Sequence, residues 1–301
     1  MPHRVFLPAT ERLLPQLCDR LLPDRIEGPF DLGGTLILVP TRQSGRRLRE
    51  HLTRQVHERG GTALLSSRVR PPASLFQPDA QEKSAHAFDL LQAWTRVLTA
   101  ASPAELEAFL PGRTSHLSPA QALETGQRLQ NLREELADAD RDLASVIPHL
   151  PLASEQQRWT VLAELETAYR TQLASMGLED PCDAKRRRAR RIQPPEGVER
   201  LVLAAVPDPS PLALLALQQL ESRLPIEVWI HANADEADLF DVWGRPTEAW
   251  HQRPAGPAAP ADQWLELHAD PEALCRRITE LVADAPASPD PAAHLWSTAR
   301  A

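Results

Sequence analysis

Lysine is nearly absent from this chain. Lys83 and Lys185 are the only two, so arginine carries almost all of the positive charge and most candidates for a catalytic lysine are removed. Cysteine is scarce as well: Cys18, Cys182 and Cys275 lie far apart with no CxxC spacing, which argues against a disulfide framework and against a zinc site. No apolar run approaches the ~20 residues that a membrane span needs. The opening MPHRVFLPATERLL is interrupted by Thr10, Glu11 and Arg12, so it lacks a signal-peptide core. A cytoplasmic protein with no membrane partner is the default expectation. Net positive charge is missing too. At −8 overall the chain is not an obvious nucleic-acid binder, and any DNA-binding surface has to be local.

What is present suffices for one large domain or two ordinary ones: 301 residues, 42% of them hydrophobic. The first third alternates strand and helix. Arg4–Leu7 reads as a short strand, and Thr10–Leu22 as a helix with Leu13, Leu14, Leu17 and Leu21 at helical spacing. Thr35–Val39 (TLILV) is an unbroken apolar run, as expected of a parallel strand buried on both faces. Arg42–Glu58 follows as a helix with Leu48, Leu52 and Val56 on one stripe, and Ala63–Val69 as a third strand. That order predicts a doubly wound α/β sheet.

The middle is helical. Asp79 and Glu82 form a D-x-x-E capping box before a helix carrying Phe88, Leu91, Thr95 and Leu98. Ser118, Pro119 and Gln121 open a long helix running through Leu129, Leu132, Leu136 and Leu143. Ser154 and Gln157 cap another, with Trp159, Leu162, Leu165, Tyr169 and Leu173 on its apolar face and Gly177 at its end. Strands then resume at Leu201–Val206 and Glu227–Ala232, joined by a helix that starts at Ser210–Pro211 and carries Leu214, Leu217 and Leu220. The predicted division is an α/β region over 1–77 and 178–252 with an all-α insertion over 78–177. A linker and the start of a following region, with a strand near Trp264–Leu267 and a helix over Pro271–Val282, occupy 253–283. An aperiodic tail over 284–301 reads as disordered, and the abrupt ending reads as that of a fragment.

The segment TLILVPTRQSGRRLREHL places Arg42, Arg46, Arg47 and Arg49 in the first turns of a helix. Helix N-termini attract phosphate, and cations gain nothing from that end of the dipole. An anionic partner such as a nucleic-acid backbone would relieve the conflict. A solvated amphipathic face paired to Glu50 accounts for the same residues.

ILVPTRQSGRRLREHL resembles the strand–loop–helix called motif Ia in UvrD-type (superfamily one) helicases, and most closely that stretch of the AddB and RecC subunits of bacterial double-strand-break exonucleases. VRPPASLF (Val69–Phe76) resembles the family's next element, and LVLAAVPDPSPLALLALQQLESRLPIEVWI (Leu201–Ile230) resembles a later strand–helix–strand. DLFDVWGRP (Asp238–Pro246) looks like members of the group that carry a PD-(D/E)XK nuclease. The match in order covers most of residues 3–283. It implies a P-loop-NTPase-like parallel sheet with an all-α insertion. It also implies contact of Thr41, Arg42, Arg46, Arg49 and Arg70 with a DNA single strand or duplex end, and work alongside a helicase or nuclease partner subunit.

The departures from the family are decisive for chemistry. A working helicase carries G-x-x-x-x-G-K-[ST] after the first strand, so that backbone N–H groups and a lysine hold the phosphates. Here the corresponding residues are Pro8, Ala9 and Thr10, followed by Glu11, with no glycine and no lysine. The strand that should end in an acidic magnesium-binding pair is followed by Pro207 and the single carboxylate of Asp208. The nucleotide site is therefore degenerate. No catalytic residue, cofactor or metal is expected within the chain, and the family's nuclease domain would lie beyond Ala301.

Other features have a plain and a functional explanation. Lys185–Arg191 (KRRRARR) reads as a loop that either touches nucleic acid or is solvated. His231 reads as a core or capped histidine before a catalytic one. The acids Asp235, Glu236, Asp238 and Asp241 fit no calcium-loop spacing and read as a solvated loop. Trp243 and Trp250 read as docked onto the domain before base stacking. Two further functions compete: a scaffold that docks a helicase partner without touching DNA, and an unrelated α/β hydrolase using Ser44 or His231, against which the lack of G-x-S-x-G argues.

Overall fold

A computed structural model of the chain describes residues 1–65, 67–76, 83–112 and 115–252. Its centre is a five-stranded, wholly parallel sheet in the order β1-β7-β6-β3-β5. Strands β1 (His3–Leu7), β2 (Gly28–Asp31), β3 (Thr35–Leu38), β4 (Gly61–Leu65) and β5 (Arg68–Arg70) come from the first part of the chain. Strands β6 (Arg200–Ala204) and β7 (Ile226–His231) come from the last. The apolar runs behave as expected of strands covered on both sides: every residue of β3 is buried, and so are Leu201–Ala204 of β6.

The pleat sorts these residues into two layers. Val5, Leu7, Ile37, Val39, Val202, Ala204 and Trp229 face helices α1 (Leu13–Leu21) and α2 (Arg42–Glu58), which bring Leu17, Leu21, Leu48, Leu52 and Val56. Leu36, Leu38, Leu201, Leu203, Val228 and Ile230 pack with Leu214, Leu217 and Leu220, which belong to a helix, Pro211–Glu221, on the other face. The crossover through α2 carries the chain outward from β3 to β5. The crossover through Pro211–Glu221 carries it the other way, from β6 to β7. The direction of winding therefore reverses between neighbouring strands β3 and β6, and ligands of open α/β sheets gather beyond the carboxyl ends of strands at such a point.

Between β5 and β6 the described chain carries helices only. These are α3 (Ala87–Ala100), α4 (Pro103–Phe109), α5 (Pro119–Asp138), α6 (Leu143–Val146), α7 (Ala153–Ser175) and α8 (Pro181–Arg190); the helix after β6 is then α9. They have their own core around Trp94, Leu98, Leu106, Leu143 and Tyr169, all fully buried. Trp94 stacks on Tyr169 with ring centroids 4.3 Å apart. A smaller cluster of Phe76, Ala189, Leu212, Ala213 and Ala216 joins α8 to α9.

Several expectations need correction. The strand predicted at Ala63–Val69 is two strands: β4 pairs with β2 in a separate two-stranded sheet, and only β5 enters the main one. The first ends at Leu65 and the second starts at Arg68, while Gly61 opens β4 at a point where a Cβ would lie 2.6 Å from Val56 Cγ1. The helix opened by Ser118 ends at Asp138, because Asp140 turns to φ 57° and Arg141 N–H closes on the Leu136 carbonyl; Leu143 belongs to α6. Ser154 and Gln157 do not cap α7 but lie within it, as its N-cap is Leu152. In α3 the buried face is Leu90, Trp94 and Leu98, while Phe88 is 76% exposed. Its start is fixed by His86 N–H bonding the Asp89 carboxylate; Asp79 and Glu82 lie outside the described residues. KRRRARR is no loop, since Lys185–Arg190 form the second half of α8, whose Asp180 side chain caps the start ahead of Pro181. The strand near Trp264, the helix over Pro271–Val282, Cys275 and the tail 284–301 also lie outside the described residues. No helix among the described residues is long and apolar enough to cross a membrane.

Candidate nucleic-acid interface

Thr41 begins the site. Its backbone is extended, and its Oγ1 accepts from Ser44 N–H at 3.0 Å, so it caps α2 and starts the helix at Arg42. Four residues on, Gly45 is buried against the sheet. A Cβ there would come within 3.3 Å of Val39 and 3.4 Å of Val69, so the glycine lets α2 settle onto β3 and β5. That approach carries the Arg49 guanidinium over the end of β5, where Nη1 donates to the Val69 carbonyl at 2.8 Å. Arg70 follows on the exposed end of the same strand, before Pro71 and the 3-10 turn Pro72–Phe76.

A cleft of about 670 Å³ opens there. Arg42, Arg49 and Arg70 line it on the sheet side, and Lys185 and Arg188 line it from α8. Five cations converge and, among the described residues of its lining, no carboxylate does. Such a field favours a polyanion, and arginine offers it several donors from one side chain. Ser74 adds a hydroxyl that is buried and has no hydrogen-bond partner among the described residues. Lys185 pairs with Asp138, and Arg188 donates to the Phe76 carbonyl at 3.1 Å.

The expected residues are thus partly brought together. Arg42, Arg49 and Arg70 meet in the cleft. Thr41 acts through the helix cap. Arg46 does not line the cleft: its side chain is 70% exposed and binds Glu50 at 2.8 Å. Lys185 and Arg188 are additions that sequence reasoning left undecided. A signal for them was present, because Asp180–Pro181 is a helix start and Ala184, Ala189 and Cys182 supply a small buried face between the basic residues.

The loop expected from the sequence to be a degenerate nucleotide site lies at the opposite edge of the sheet, after β1. Pro8, Ala9 and Thr10 are exposed. The loop closes on itself: Glu11 N–H bonds the Pro8 carbonyl at 3.2 Å, and Gln16 Nε2 bonds the same oxygen at 3.0 Å. It turns carbonyls, not a row of N–H groups, toward its neighbours. Asp208 is exposed in the loop after β6, and β7 separates that strand from β1.

Other candidates have structural roles. His231 bonds the Glu11 carbonyl at 3.2 Å and Ser44 Oγ lies 2.9 Å from Thr41 Oγ1. Asp241 accepts from Trp243 N–H, Arg245 N–H and Arg245 Nε, and organises a turn. Trp243 is buried against β7, and Trp250 packs on Phe240 at 5.1 Å. Burial pushes the thiols of Cys18 and Cys182 up to about 12, which leaves them unreactive near neutrality. No protein-family model matches the chain, and no curated protein matches its sequence.

Proposed function

We propose that this chain is a catalytically silent, helicase-like DNA-binding region of the AddB/RecC type, acting with a helicase or nuclease partner subunit in the cytoplasm. The observation that carries the proposal is the convergence of Arg42, Arg49 and Arg70 with two cations of α8 on one cleft. A chain with net charge −8 has collected positive charge locally, as a backbone-binding surface requires. In this reading the sheet is a superfamily-one helicase sheet, and helices α3 to α8 are an all-α insertion between β5 and β6. The exposed Pro8–Ala9–Thr10 loop supports silence, since nothing there can wrap a triphosphate.

The test is binding of a labelled oligo(dT) strand by the full chain, followed by fluorescence anisotropy across salt concentrations. Each phosphate contact on a single strand contributes a slope of about −0.7 in log K against log salt, so three arginine contacts predict roughly −2. Arg42→Ala with Arg70→Ala should flatten that slope and weaken binding. Parent and variant binding alike would remove the proposal, as would tight ATP uptake at the Pro8–Glu11 turn.

A further inference from the structure

The basic run of α8 is divided by helical phase into groups with different employment. Arg186 is 15% exposed and is held by both Asp140 and Asp142, while Arg190 bonds Asp140 as well. Arg187 pairs with Glu179. These bonds tie α8 to the turn after α5 and to its own approach. Lys185 and Arg188, three residues apart and so on one face, are the two that reach the cleft. Lys185 differs from Arg186 in its partners: it is 23% exposed and holds one acid, Asp138, that is 49% exposed, whereas Arg186 holds two acids that are each 26% exposed. A single pair with an exposed partner contributes little to stability. An incoming phosphate can therefore take Lys185 from Asp138 at small cost.

The size of the cleft limits what brings that phosphate. Its volume of about 670 Å³ is that of a sphere about 11 Å across, smaller than the ~12 Å major groove of a duplex alone. It has walls on two sides, from α2 and β5 on one and α8 on the other. A single strand can lie between such walls, whereas a duplex can only rest on the rim.

Resting on the DNA-binding function proposed above, we propose that α8 is the second wall of one single-strand cleft, in which Lys185 exchanges Asp138 for a backbone phosphate facing Arg42, Arg49 and Arg70. Asp138 is then a competitor for the strand, and Lys185 a direct contact.

The experiment uses the full chain, oligo(dT) and a blunt duplex. Lys185→Ala should flatten the salt slope for oligo(dT) by about 0.7, the share of one single-strand phosphate. Lys185→Gln, which keeps a polar side chain but removes the ammonium that lies 6.0 Å from the Phe76 ring centroid, should do the same. Asp138→Asn should tighten oligo(dT) binding severalfold at low salt, and the duplex should bind more weakly than the single strand. An unchanged slope in both Lys185 variants, or duplex binding as tight as single-strand binding, would overturn the proposal. If the parent binds oligo(dT) and loses it on Arg42→Ala with Arg70→Ala while the Lys185 variants match the parent, the DNA-binding function stands and only the role of α8 falls. If the parent binds no strand, both fall.

Discussion

Arg133 of α5 donates two bonds to the Asp180 carboxylate, at 2.7 and 3.2 Å, between side chains that are only 2% and 3% exposed. Its Nε bonds Glu166 of α7 at 2.6 Å, and Tyr169 O–H reaches Asp180 at 2.8 Å. One buried guanidinium thus joins α5, α7 and the cap of α8. Removing one member strands a charge in the core, and the cost of doing so is typically about 3–5 kcal/mol. Asp180→Ala should lose that much, since it also removes the cap on Asp183 N–H. Urea denaturation should show the midpoint falling with its slope unchanged. A loss below about 1 kcal/mol would mean that the cluster is not the joint described.

Asp142 gives the acid limb of stability. Burial alone would raise its carboxyl, but the bonds from Arg186 and from Ser145 N–H outweigh it and hold the group below the usual aspartate range. A folded value below the unfolded one stabilises the fold fully above about pH 5 and loses that contribution as pH falls through the unfolded value to the folded one. Asp180 and Asp241 are lowered as well, with burial again opposed by Arg133 and Arg245. Urea midpoints should be level from neutrality to about pH 5 and then drop. Asp142→Asn should start lower at pH 7 and converge on the parent in acid. Parallel curves at all pH values would dissociate Asp142 from that limb.

Helix α2 was legible to both its ends from the phase of Leu48, Leu52 and Val56, whereas the capping role of Thr41 emerged only from the structure. The Ser210–Pro211 start of α9 was legible because a serine ahead of a proline marks a cap and a first helical position. Strands β3 and β6 announced themselves as apolar runs. What was hidden had mixed or short patterns. Strand β2 alternates half-buried and exposed residues over only four positions, and β4 buries little beyond Gly61. Helix α8 was hidden by its own charge: a run of arginines reads as solvated until the partners are known, and Asp138, Asp140, Asp142 and Glu179 are remote in sequence or off the pattern. The cleft was half legible for that reason. Its α2 and β5 wall is local in sequence, while its α8 wall arrives through tertiary packing of Phe76 against Ala189.

Gly126 of α5 tests the packing that brings the helical core together. A Cβ there would stand 2.8 Å from the Cβ of Trp94, a residue with no exposed surface. Alanine should gain about 1 kcal/mol in helix propensity, yet overpacking a filled core commonly costs about 1–3 kcal/mol. Since Trp94 is pinned by its stack on Tyr169 and its bond to Gln130, the clash should win. Gly126→Ala is expected to lower the thermal midpoint. A higher midpoint would show that α3 moves aside at no cost.

Arg42 and Arg46 lie one turn apart on α2, and the geometry separates them. Arg42 lines the cleft; Arg46 points to solvent and is occupied by Glu50. A single exposed pair one helical turn apart stabilises by only about 0.3–0.5 kcal/mol, so Arg46→Ala should leave the thermal midpoint within error. If strands bind where the five cations converge, Arg42→Ala should weaken oligo(dT) binding and flatten its salt slope by about 0.7, while Arg46→Ala should change neither by a measurable amount. Equal losses in the two variants would move the binding surface out of the cleft and onto the outer face of α2. That outcome would restore the simpler picture in which every arginine of the first turns touches phosphate.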